Sequence, residues 1–299
     1  MVESGDQDLL QRFVFAHADV RGEVVRLEQT FAETVARHDY DPAIRSLVGE
    51  GLAAVALLAA TLKYPCSLNL QLQSPGPLSL LLIQGRTDGT MRAMARTRES
   101  VPEQTSLDAL APEGTLAILI EPLEGGERYQ GVVDLRGGSL ASALEHYFRE
   151  SEQLPTRVWL SAQSTQAAGM LIQRLPAEGG HDSRDDDAWQ RAGMLAETVT
   201  GEELRALPPR EMIRRLFHEE DLRLFDPTPL RFACRCSRDR VAAMLEGLGE
   251  AEMRATLADE GIVEVHCDFC NAPYRFDAVD IEALFTDPAV RSPESHESH

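Results

Sequence analysis

Lysine is nearly missing from this chain: Lys63 stands alone, and the rest of its 29 basic residues are arginines. They are outnumbered by 49 Asp and Glu, for a formal charge of −20. Such a balance repels phosphate backbones and anionic lipid surfaces, so neither nucleic acid nor membrane is expected as a partner. A long apolar run is also missing. The longest, Gly51 to Leu62, lies between Glu50 and Lys63, is too short to cross a bilayer, and reads as a packed Ala-rich helix. Met1 to Leu10 is acidic and shows no basic stretch followed by an apolar one. A cytoplasmic protein is therefore expected, and there thiols stay reduced. With only five cysteines in that setting, close spacing points to metal or redox chemistry before structural disulfides.

Catalytic signatures are absent too. Gly125-Gly126 and Gly137-Gly138 fit neither a P-loop nor a dinucleotide fingerprint. No G-x-S-x-G, H-E-x-x-H or kinase-like set occurs, and His17, His38, His146, His181 and His218 are scattered. The expectation is a protein that is not an enzyme.

What is present reads as an α+β chain: an N-terminal mixed sheet-and-helix domain, a helical linker and a small C-terminal four-cysteine zinc module. The first domain is expected over residues 1–177. Its alternating stretches Ser67–Leu72 and Thr115–Ile120 predict half-buried strands, and Pro42–Lys63 and Ser139–Arg149 predict helices. Ser139 is placed to cap a helix whose Leu140, Leu144 and Tyr147 share a face. From Glu178 to Asp187 the chain turns polar and acidic, and a linker is expected over 178–231. Trp189, Ala192, Ala196 and Val199 mark one amphipathic piece; Met212, Ile213, Leu216 and Phe217, started by Pro208-Pro209, mark another. Leu222, Leu224 and Phe225 follow before Pro227. These short pieces have no core of their own and must lean on a neighbour. The last module is expected over 232–287, with a polar tail over 288–299. In it Ser237 caps a helix carrying Val241, Met244, Leu245 and Leu248, and a second helix carries Met253 and Leu257. Ile262–His266 and Tyr274–Phe276 predict two strands around a turn.

Cys234-x-Cys236 and Cys267-x-x-Cys270 supply the chemistry. Two short pairs at this separation have the spacing of a tetrahedral zinc site made of four cysteines, two thiolates from each turn. One zinc ion per chain is expected. His266 competes as a ligand but is not needed, and Cys66 reads as a small buried hydrophobe. His296 and His299 read as solvated tail residues. The spacing leaves a permanent structural zinc and a redox switch both open. Zinc supplies about 10–16 kcal/mol to such a module, so its loss should unfold it, and thiolates are the oxidisable form of cysteine. A nucleic-acid ribbon is disfavoured, because Phe232 to Phe285 holds five Arg against eleven Asp or Glu.

Phe232-x-Cys234-x-Cys236-Ser237, Cys267-x-Phe269-Cys270 and Tyr274-x-Phe276 resemble the heat-shock protein 33 family. The stretches Leu47–Ala54, Tyr129–Val133, Ser151–Thr156 and Ala168–Pro176 resemble it as well, and the likeness covers residues 10 to 285. The resemblance implies a cytoplasmic holdase, a chaperone that binds unfolding proteins without refolding them. It implies a reduced, zinc-bound resting state and oxidation to two disulfides, Cys234–Cys236 and Cys267–Cys270. Zinc then leaves, module and linker unfold, and homodimers bind clients later handed to an ATP-dependent foldase system. The apolar linker residues Met212, Ile213, Leu216, Phe217, Leu222, Leu224 and Phe225 become the expected client-exposed surface. A thiol–disulfide oxidoreductase using Cys267 and Cys270, or a constitutive zinc module for protein contacts, are the alternatives.

Overall fold

The Ala-rich run forms the centre of the first of two compact units, Met1–Ala233 and Cys234–His299. The computed structural model describes residues 8–102, 105–135, 137–176 and 187–286. Outside them fall His181 and nearly all of the expected acidic stretch 178–187, and the expected tail with His296 and His299.

The first unit begins with β1 (Leu9–Phe15), β2 (Val20–Leu27), α1 (Gln29–Val35), α2 (Pro42–Ala60), β3 (Cys66–Gln73), β4 (Leu78–Arg86) and β5 (Thr90–Thr97). It continues through α3 (Leu107–Leu110), β6 (Thr115–Pro122), β7 (Tyr129–Asp134), α4 (Leu140–Tyr147), β8 (Thr156–Gln163) and β9 (Gln166–Arg174). It closes with α5 (Ala188–Ala196), α6 (Gly201–Ala206), α7 (Pro209–Phe217), β10 (Leu222–Leu224), β11 (Thr228–Pro229) and β12 (Arg231–Phe232). The strands form two six-stranded sheets rather than one. The first runs β10-β1-β2-β9-β8 with β11 also on β1; the second runs β12-β5-β4-β3-β6-β7. All pairs are antiparallel except β12 with β5.

Helix α2 packs against strands of both sheets and is apolar over most of its surface, with Arg45, Ser46 and Glu50 on a half-buried edge. Pro42 opens it at the first turn, where a missing N–H costs nothing. By composition it is long enough to cross a bilayer, yet most of that stretch is buried inside the protein. Two glycines let the sheets close on it. A Cβ on Gly49 would lie 2.6 Å from Ala162 Cβ of β8, and one on Gly51 would lie 2.8 Å from Ile83 Cγ1 of β4. Along β3 the leucines alternate as expected, with Leu68, Leu70 and Leu72 entering the central core, but the strand is more than half-buried, because Ser67 and Asn69 on its other face are buried too. Ser139 caps α4, its Oγ accepting from Ser142 N at 3.2 Å. Cys66 is fully buried, and burial pushes its thiol up, as befits an inert core residue.

The outer face of the first sheet is covered by α5, α6 and α7. Met212, Ile213, Leu216 and Phe217 are buried against Phe13, Phe15, Val24, Met170 and Ile172. The Phe217 ring lies 5.5 Å from those of both Phe13 and Phe15. Three polar ties hold the layer. Glu220 receives Arg191 Nε at 2.5 Å and Nη2 at 3.0 Å, and Arg205 donates to Gln163 at 2.8 Å. The third is buried Gln11, which accepts from Arg210 Nε at 2.9 Å and donates to the Phe225 carbonyl at 2.5 Å. Leu222, Leu224 and Phe225 are not helical as the linker expectation had it. Leu222–Leu224 is a strand on β1, in keeping with its period of two, and Leu224 is 43 % exposed.

The second unit holds α8 (Arg238–Leu248), α9 (Glu250–Glu260), β13 (Val263–His266), β14 (Pro273–Phe276) and α10 (Ala278–Phe285). Ser237 caps α8, accepting from Arg240 N at 3.2 Å, and Gly261 ends α9 in the left-handed region. Val241, Leu245, Met253, Val263, Phe276 and Ile281 make its core. Met244 and Leu248, expected on the same apolar stripe, are about half exposed (47 % and 51 %). The core is too narrow to take more than one ridge of α8.

Candidate metal centre

Cys234 and Cys236 sit just before the Ser237 cap, so their backbone is fixed by the start of α8. Cys267 and Cys270 occupy the turn between β13 and β14. There Cys267 N–H donates to Ala272 O at 3.0 Å, and Asn271 N–H donates to Cys267 O at 2.8 Å. Asn271 takes φ 54°, a left-handed position that Asn tolerates well. The turn aims backbone amides at sulfur: those of Phe269 and Cys270 at Cys267, and that of Ala272 at Cys270. The Tyr274 hydroxyl donates to Cys236, and that hydrogen bond, followed by burial and the nearby sulfurs, pushes its own pKa up to about 12.

The four sulfurs lie within 4.8 Å of one another. Cys234 Sγ is 3.4 Å from Cys236 Sγ and 3.6 Å from Cys267 Sγ, and Cys236 Sγ is 3.3 Å from Cys270 Sγ. Disulfide bonding needs about 2.0 Å, so these are four separate sulfurs. Tetrahedral zinc with bonds of about 2.3 Å puts its sulfurs about 3.8 Å apart. Those three separations are within about half an ångström of that value, and all four sulfurs stay within 4.8 Å of one another. Burial pushes the thiols of Cys267 and Cys270 up, so four thiolates this close persist only around a cation that cancels their charge. The donor set, its size and the amide donors fit a thiophilic divalent ion.

His266 is not drawn in. It is directed at Glu264, 3.3 Å from its carboxylate, and its side chain is half exposed. Arg238 ties the module together by donating to Arg275 O at 2.8 Å and Asp280 at 2.7 Å, with its guanidinium 4.3 Å from the Phe276 ring centre. The expected linker residues are elsewhere, in the first unit. The structure brings Met212, Ile213, Leu216 and Phe217 together under one surface and leaves Leu224 at its edge. The sequence did not single out Gln11, Arg191, Arg210 or Glu220, the polar groups that hold that surface down. Polar residues bonding across 29 to 199 positions leave no local pattern.

A two-sheet body followed by a small module with four clustered cysteines defines a two-unit protein with a candidate metal centre, and comparison with known proteins places it. A profile of the Hsp33 protein family matches residues 8–277. The 33 kDa chaperonin of Nitrosococcus oceani is 45 % identical over 294 residues, covering 98 % of this chain and 99 % of its own. That of Azotobacter vinelandii is 47 % identical over 283 residues, covering 94 % and 95 %. The chain belongs to the Hsp33 family. The crystal structure of the 33 kDa chaperonin from Thermotoga maritima superimposes with a TM-score of 0.77 over 92 % of this chain and 97 % of that one. At 20 % identity this speaks for the fold.

Proposed function

We propose that this protein is a redox-gated holdase of the cytoplasm that binds unfolding proteins and prevents their aggregation. Cys234, Cys236, Cys267 and Cys270 hold one zinc ion in the reduced, resting protein. Oxidation to Cys234–Cys236 and Cys267–Cys270 transfers four electrons to the oxidant, removes the thiolates and releases the ion. The observation that carries this reading is the four-sulfur cage in a module whose own core is six side chains. So small a core depends on its metal for folding, which makes metal loss an unfolding event. The expected linker, 178–231, supplies the second part of the switch through the described α5–α7 layer. Its α7 face exposes Met212, Ile213, Leu216 and Phe217 when the layer lifts, and a contiguous apolar patch of that kind captures unfolded chains. Homodimer formation in the oxidised state and handover of clients to an ATP-dependent foldase belong to the same proposal.

The thiol–disulfide oxidoreductase reading has less support. Cys270 leads into a left-handed Asn271 and a strand, with no helix N-terminus to lower a nucleophile's pKa. Zinc release and light scattering by a heat-unfolding client, followed together before and after peroxide at raised temperature, test the proposal. Suppressed aggregation only after zinc has left supports it. Zinc retained under peroxide, or equal suppression before oxidation, would overturn it.

A further inference from the structure

Strands β1 and β2 place Arg12 directly opposite Glu23, and Val14 opposite Arg21. Together with Lys63, which follows α2, the side chains of Arg12, Arg21 and Glu23 line a cleft of about 670 Å³. That volume falls in the range of small-molecule sites. In a chain of net charge −20, three cations converging on one cleft are a local reversal of sign. More distant acidic groups are screened beyond about 8 Å at physiological salt.

Hydrogen bonding in the cleft is incomplete. Glu23 is 2 % exposed, and its Oε2 has no hydrogen-bond partner. Arg21 Nε is buried in the same condition, although its Nη2 donates to Gln173 Oε1 at 2.6 Å. The Arg12 guanidinium lies 5.3 Å from the ring centre of Phe225, which also lines the cleft. Buried polar atoms without partners are costly, and a ligand that these two side chains turn to meet recovers that cost. Asp19 also lines the cleft and offsets part of its positive charge. Burial pushes the Glu23 carboxyl up to about 7, so near neutrality it carries a proton for much of the time and can donate. Two guanidinium groups, an ammonium group and a carboxylic acid match a tetrahedral oxyanion, since guanidinium forks suit its paired oxygens. The space beyond them is walled by Leu62, Leu175 and Pro176 and exceeds the needs of inorganic phosphate.

We propose that this cleft binds a phosphate monoester, its phosphoryl group held by Arg12, Arg21, Lys63 and the Glu23 carboxyl, and its organic part against the apolar wall. Calorimetric titration of the reduced, zinc-loaded full chain with phenyl phosphate, benzoate and inorganic phosphate at constant ionic strength tests this. Phenyl phosphate is expected to saturate one site and bind more tightly than inorganic phosphate or benzoate. Hydrogen exchange should slow at Phe225 N–H, which is bonded to Arg12 O at 3.0 Å. Arg12→Gln and Lys63→Gln should each weaken binding about tenfold, the loss of one charge-assisted contact. Glu23→Gln keeps a donor and should bind within about threefold. Lys63 is exposed, so Lys63→Gln also separates lost binding from lost folding. Phenyl phosphate that fails to saturate, benzoate binding as tightly, or undiminished affinity in Lys63→Gln would overturn the assignment.

Discussion

Helices α2 and α7 both pack apolar residues on the first sheet, but on opposite faces and under opposite conditions. α2 is enclosed between two sheets, while α7 is buried on one side only and carries Arg214 and Arg215 on the other. Removing α2 would open the central core. Removing α7 would uncover one face and leave that core intact. The difference teaches which layer can be released without loss of the body it covers. The expendable layer is the one whose departure does not unfold what lies beneath it.

The largest effect separates the two units. Stripping the metal with a chelator, or Cys267→Ser, removes up to about 10–16 kcal/mol from the second unit and nothing from α2. Hydrogen exchange should become complete at β13, β14 and α10 while α2 and β3 stay protected. Equal protection of β13 with and without metal would break the comparison. Next comes a charge placed under each helix. Leu216→Asp costs roughly 3–5 kcal/mol through lost burial and an unpaired charge. It should lift the α5–α7 layer and give aggregation suppression without oxidant. Leu52→Asp, on α2, should abolish folding of the first unit altogether. A silent Leu216→Asp protein whose layer is open by hydrogen exchange would show that release of the layer is not the gate.

A smaller effect comes from two carboxyls. Burial pushes both Glu23 and Glu50 up to about 7, against 4.5 ordinarily. The folded protein therefore holds these protons more tightly than the unfolded chain. Stability is fullest below about 4.5 on this account and is lost as pH rises through 7. The loss reaches about 3 kcal/mol per group by pH 8. Glu50→Gln should flatten the Tm–pH profile between 5 and 8, and an unchanged slope would remove Glu50 from the account. Smaller again is the order of oxidation. A C-x-C disulfide closes a tighter ring than a C-x-x-C disulfide, and strain raises the reduction potential. Cys267–Cys270 should form first, and Cys234–Cys236 only after the adjoining chain has loosened. Mass spectrometry of trapped thiols at low and raised temperature decides this. The smallest effect is local: Arg37 lies 4.7 Å from the Phe232 ring centre beside the β12–β5 pair. Arg37→Ala should cost about 1 kcal/mol and speed amide exchange at Ala233, whose N–H bonds Met91 O.

Much of this was legible because the signals are local. The four cysteines sit in two pairs, Ser139 and Ser237 stand where a cap must stand, and Leu68, Leu70 and Leu72 alternate. The Asp277-x-x-Asp280 box ahead of Ile281 is a local signal for α10 as well, since both halves of that cap form. Other features left no trace to find. The cap of α1 is Asp8, 21 residues upstream, which accepts from Gln29 N at 3.1 Å. β12 is two residues long and parallel, with no period to detect. That Phe13 and Phe15 would meet α7 depends on which face of the sheet each layer takes, and strand alternation alone does not assign faces.

Gly49, Glu50 and Gly51 are adjacent on α2, each turned about 100° from the next. The two glycines mark where a sheet comes too near for any side chain, and the half-buried carboxyl between them stands at neither contact. A slip of one residue would drive Glu50 into β8 or β4. The triplet thus acts as a key with one angular setting: it makes the wrong rotations of the helix unaffordable, and it lets a nearly featureless run of alanines and leucines find a single orientation.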